Sequence, residues 1–97
     1  MYAAVVVVNA GPEKANRHID AAVLTDAFWA HTREADGLEH VRVVDSAEGF
    51  SAVLFMKGKN EGEVAESALA LCWHTVMATP SLAGCSIESC AVRLSER

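Results

Sequence analysis

Four histidines and three cysteines are the side chains of this 97-residue chain best suited to proton transfer, metal binding or nucleophilic attack. His31 falls on the apolar face of a predicted helix, near Phe28 and Trp29, where a half-buried imidazole can take up and release a proton near neutral pH. His18 closes a long loop, and Asp20 two residues on can orient its ring. His74 follows Trp73 on the flank of a second helix and His40 sits on an edge strand; both suit packing or solvation better than catalysis. The histidines show no i, i+2 or i, i+4 spacing and no Cys-x-x-Cys occurs, so neither a metal centre nor a cofactor is expected. Cys85 and Cys90, five positions apart on one strand, point to opposite faces and cannot pair. Cys72 lies inside a helix as a small packing residue, and no cysteine has a basic neighbour or a helix start to favour its thiolate. Gly-x-Ser-x-Gly and the phosphate-binding Gly-x-x-x-x-Gly-Lys-Ser/Thr are both absent. Lys57-Gly58-Lys59-Asn60 precedes a helix start, but Glu61, Glu63 and Glu66 follow at once and would repel an anion. No catalytic set emerges from these spacings.

The elements that must carry these residues belong to one domain, because two halves of such a chain would be too small to bury cores. Apolar residues make up 52% and charged residues 22%, enough to fill a core and too apolar for a disordered chain. The net charge of -5, with no basic cluster, argues against nucleic acid and against an anionic membrane surface. The apolar stretch after Met1 is short and no cation precedes it, which does not fit a signal peptide. With an odd cysteine count, this places the expected location in the cytoplasm. Residues 67–87 contain no Asp, Glu, Lys or Arg, but Pro80 stops a helix near their middle, so they read as helix, turn and strand rather than a membrane span.

Residues 2–8 form a β-branched run suited to a buried strand. A loop over 9–19 follows. Asp20 can cap a helix running toward Ala35, with Ala21, Leu24, Phe28, His31 and Ala35 on one face and Asp36-Gly37 as its stop. Strands over 38–44 and 50–56 flank a turn at 45–49. Asn60 caps a second helix to about Ala78, with Glu63 in capping-box position, and 85–94 is the last strand. The order β-α-β-β-α-β resembles the ferredoxin-like fold in topology. The resemblance spans the whole chain and implies an α+β sandwich: a four-stranded antiparallel sheet in the order 4-1-3-2 with two helices on one face.

Two surfaces are then too apolar for a solitary subunit. On the first strand Tyr2, Ala4, Val6 and Val8 alternate with Ala3, Val5 and Val7; on the third, Phe50, Ala52, Leu54 and Met56 alternate with Ser51, Val53 and Phe55. Both faces of both central strands are apolar, while only one can meet the helices. On the second helix Ala65, Leu69, Trp73, Val76 and Met77 form an apolar side opposite the core stripe of Val64, Ala68, Leu71, Thr75 and Ala78. The reading these features favour is a small interaction or assembly module, homodimeric through the open sheet face. Its expected contacts are Tyr2, Val6, Phe50 and Leu54, with Trp73, Leu69, Val76 and Met77 forming a second docking surface for a protein partner. The alternative follows from the resemblance alone: dimers of this topology include the dimeric α+β barrels, among them cofactor-free monooxygenases, isomerases and cyclases. In that case His31 or His18 would act as acid or base, with Trp29 and the loop at Asn16 beside the pocket.

Overall fold

A computed structural model describes residues 1–11 and 20–95. Its elements are β1 (Tyr2–Asn9), α1 (Ala21–His31), β2 (Leu38–Ser46), β3 (Gly49–Met56), α2 (Glu61–Ala78) and β4 (Ser86–Leu94), with short 3₁₀ turns at Glu34–Asp36 and Pro80–Leu82. The four strands form one antiparallel sheet in the order β2-β3-β1-β4, which is the expected 4-1-3-2 counted from the other edge. This is the ferredoxin-like α+β sandwich. The central pair runs in unbroken register from Tyr2 opposite Met56 to Asn9 opposite Gly49. Ala4, Val6 and Val8 of β1 and Phe50, Ala52, Leu54 and Met56 of β3 form the floor of the core. Leu24 and Phe28 of α1 close it from above, with Val64, Ala68, Leu71, Cys72 and Val76 of α2.

Each helix begins where a side chain satisfies its free amides. The Asp20 carboxylate accepts from the Ala22 and Val23 N–H groups at 2.8 and 3.4 Å. The Asn60 amide oxygen accepts from the Glu63 N–H at 2.8 Å. Glu63 reaches back as expected, but to the Lys59 N–H at 3.2 Å, one residue before the cap. Thr75, fully buried on the core side of α2, donates its hydroxyl to the Leu71 carbonyl at 2.8 Å, so it brings no unmet polar group into the core.

Several boundaries differ from expectation, among them the start of β4, at Ser86 rather than at 85. α1 ends at His31, not at Ala35, because the Asp36 carboxylate captures the Arg33 N–H at 2.8 Å and folds the intervening residues into a separate turn. The β2–β3 turn is shorter than 45–49: β2 continues to Ser46 and β3 begins at Gly49, where an added Cβ would collide with the Val8 carbonyl oxygen. β1 runs on through Asn9.

Both edge strands carry one extra residue in their pairing. On β2 the pairing passes from Leu38–Met56 to His40–Phe55, leaving Glu39 over. On β4 it passes from Val7–Ser89 to Val8–Ile87, leaving Glu88 over. Each of these glutamates has a local partner: Glu39 pairs with the Lys57 ammonium at 2.9 Å, and Glu88 accepts from the Asn9 side-chain amide at 3.1 Å.

Gly37 ties the turn after α1 to the end of β3. It has φ of 66°, its carbonyl accepts from the Lys57 N–H at 2.9 Å, and a Cβ there would lie 2.7 Å from the Lys57 oxygen. Gly37→Ala is therefore expected to lower unfolding free energy by about 1–3 kcal/mol through backbone strain and this close approach. Urea melts of the two proteins measure it; an unchanged midpoint contradicts the assignment.

Candidate functional site

The sheet face away from the helices is set by the pairing registers. Across it, from β2 to β4, lie His40, Phe55, Ala3 and Arg93 in one row, then Arg42, Val53, Val5 and Ala91, then Val44, Ser51, Val7 and Ser89. The centre is apolar and the cations stand on the outer strands. Ala3, Val5, Val7, Val53 and Phe55 are neither buried nor fully exposed, each being flanked by neighbours within the sheet. The sheet residues expected at an interface are placed otherwise. Val6, Phe50 and Leu54 are wholly buried beneath the helices, and Tyr2 packs against the same core. The open face is thus the one of Val5, Val7, Val53 and Phe55. Both faces of the central strands look alike; the edge strands break the tie. Val41, Val43, Cys90 and Val92 continue the core face, whereas His40, Arg42 and Arg93 continue the other.

On α2, Leu69, Trp73 and Met77 form an outward stripe at i, i+4, i+8 and are 40%, 54% and 69% exposed. Val76, expected in the same surface, is only 4% exposed and belongs to the core. Trp29, on α1, is 43% exposed.

The histidines gather in two places. His31, in the last turn of α1, meets His74 of α2 with ring centroids 5.6 Å apart and planes at 60°. They line a cleft of about 180 Å³ together with Arg33, Asp36, Ala70 and Leu71. No spacing in the sequence links His31 to His74; packing of the two helices brings them together. His40 lies 5.6 Å from the Phe55 ring, and the two line a groove of about 380 Å³ on the open sheet face with Met1 and Glu39. That neighbourhood was open to inference from the hairpin register, which sets His40 opposite Phe55. His18 and Asn16 lie outside the described residues. Among the described residues, no group of three or more His, Cys, Asp or Glu side chains is arranged to hold a metal ion, and no helix is long and apolar enough to cross a membrane. No protein-family model matches the chain, and comparison with curated proteins and with solved structures finds no significant match.

Cys72 and Cys90 are thiols. Burial pushes the Cys72 thiol up from about 9.0 to about 12, and negative charge on the nearby Cys90 sulfur acts in the same direction. Burial likewise raises Cys90. Both shifts oppose thiolate formation, the reverse of what a cysteine nucleophile needs. The folded chain holds the Cys72 proton more tightly than the unfolded chain does. Its contribution to stability is complete below about pH 9 and is lost as pH rises toward about 12, by up to about 1.4 kcal/mol per pH unit. Chemical denaturation between pH 8 and 11 is expected to show this decline in the parent protein and a shallower one in Cys72→Ala, whose cavity lowers the whole curve without adding slope. Parallel curves would remove Cys72 as the cause.

Proposed function

We propose that this chain is a small association module that pairs with a second copy of itself through the open sheet face. The observation that carries the reading is the apolar centre of that face: Ala3, Val5, Val7, Val53 and Phe55 lie on the side opposite α1 and α2. A second copy is the occupant that the area favours. Four strands about 4.8 Å apart, eight or nine residues long at about 3.4 Å each, present roughly 500 Å². Two copies face to face hide roughly 1,000 Å² of planar surface, the lower bound of a specific interface. A two-fold axis then uses the same patch on both partners and closes the assembly. The stripe of Leu69, Trp73 and Met77 lies in the helical layer, so in such a pair it stays accessible to a further protein partner.

One observation favours a second reading, a ligand binder or cofactor-free catalyst. The groove lined by Met1, Glu39, His40 and Phe55 has about 380 Å³, within the range of small-molecule sites, and a second copy over the open face would roof it. A histidine and a carboxylate would then face an apolar wall.

Sedimentation equilibrium decides the first reading. The parent protein is expected to dimerise in the micromolar range, and Val5→Lys and Val53→Lys to be monomers that keep the parent's circular dichroism. Each substitution would place a charge at the centre of the interface and weaken pairing by about a hundredfold or more. Quenching of Trp29 and Trp73 by acrylamide should not change with protein concentration, since both lie in the helical layer. A parent that remains monomeric through the micromolar range overturns the reading.

A further inference from the structure

The chain carries 13 acidic and eight basic side chains, yet the cleft between its helices collects cations and cation-forming groups. The titratable and charged groups lining it are His31 from α1, Arg33 and Asp36 from the turn that follows, and His74 from α2; its remaining walls are Ala70 and Leu71 of α2. No strand residue is among them. The Asp36 carboxylate is engaged in holding the turn: one oxygen accepts from the Arg33 N–H at 2.8 Å and the Thr32 hydroxyl at 3.3 Å, and the other lies 3.9 Å from the Arg33 guanidinium. Arg33 and Asp36 cancel as formal charges. The sign of the cleft therefore depends on His31 and His74. Histidine is the side chain whose ordinary charge change falls nearest neutral pH, so the charge of these walls depends on pH.

Protonated imidazole donates from both ring nitrogens and guanidinium from five N–H groups, while neither accepts. A metal cation is a poor guest for this set. The two imidazoles are its only uncommitted donors, Arg33 repels a cation, and no three-residue metal group exists among the described residues. The volume of about 180 Å³ lies below the roughly 300–1,000 Å³ of sites for drug-sized molecules, so the guest must be small. We propose that this cleft binds a small tetrahedral oxyanion, phosphate either free or as a small monoester, and that protons on its paired imidazoles strengthen the binding. The proposal is independent of pairing through the sheet, since the cleft lies in the opposite layer.

Sulfate is the test probe, because it remains a dianion over the whole pH range used. Titrated into the full chain and followed by imidazole and amide NMR signals, it should shift His31, Arg33 and His74 and bind at least about tenfold more tightly near pH 5.5 than near pH 8. In the double variant His31→Gln, His74→Gln that ratio should fall below about twofold while circular dichroism stays that of the parent. Shift mapping on the parent alone tests the site even if the variant does not fold. Inorganic phosphate and glycerol 3-phosphate, compared near pH 5.5, separate the two sources: binding of both assigns the cleft to monoesters, binding of the free ion alone to phosphate itself. Equal sulfate affinity at both pH values, or shifts confined to residues outside the cleft, would overturn the proposal, as would absence of saturable binding near pH 5.5.

Discussion

Two helices cover one face of a four-stranded sheet and leave the other. Everything notable about this molecule follows from that mismatch, because β1 and β3 are apolar on both sides. The covered side is filled: Ala4, Val6, Phe50, Ala52, Leu54 and Met56 are wholly buried against Phe28, Ala68 and Cys72. Alanines at Ala4, Ala52 and Ala68 leave room for the larger Phe28 and Phe50, in the alternation of small and large that close packing requires. The uncovered side has no matching layer among the described residues. Its valines keep part of their surface in water, at a cost that a second body would relieve.

The turn after α1 is the second determinant. Had the helix continued to Ala35, as its apolar spacing suggests, Arg33 would have been a helical position and Asp36 only its stop. A single carboxylate decides otherwise. Asp36 holds the Arg33 amide, Gly37 adopts the left-handed conformation, and the chain turns into β2 with its carbonyl bonded to Lys57. His31 is thereby the last helical residue, at the mouth of a cleft that Arg33 and Asp36 complete. Local capping chemistry and the composition of the cleft are the same event.

Much of the fold was legible in the residues. The β-branched run of β1, the Asp20 and Asn60 caps and the stop at Pro80 each rest on local physics, and the strand order follows once crossovers are right-handed. The site was less legible, for two reasons. Period-two alternation defines two faces but not which one the helices take. Assigning the interface to Val6, Phe50 and Leu54 chose the buried one, where the charges of β2 and β4 would have pointed to Val5, Val7 and Val53. The meeting of His31 with His74 depends on how two helices pack, which no spacing within either helix encodes.

The surplus glutamates of the outer strands have a consequence for growth. Glu39 and Glu88 each interrupt the regular ladder at the sheet's margins and set a carboxylate beside hydrogen-bonding groups that a neighbouring chain would need. Lateral addition of strand after strand, the route to filaments, is obstructed at both borders. The proposed stacking front to front, by contrast, would exhaust itself after one event. A molecule so greasy in its middle can in this way stay a small, countable particle rather than an endless fibre.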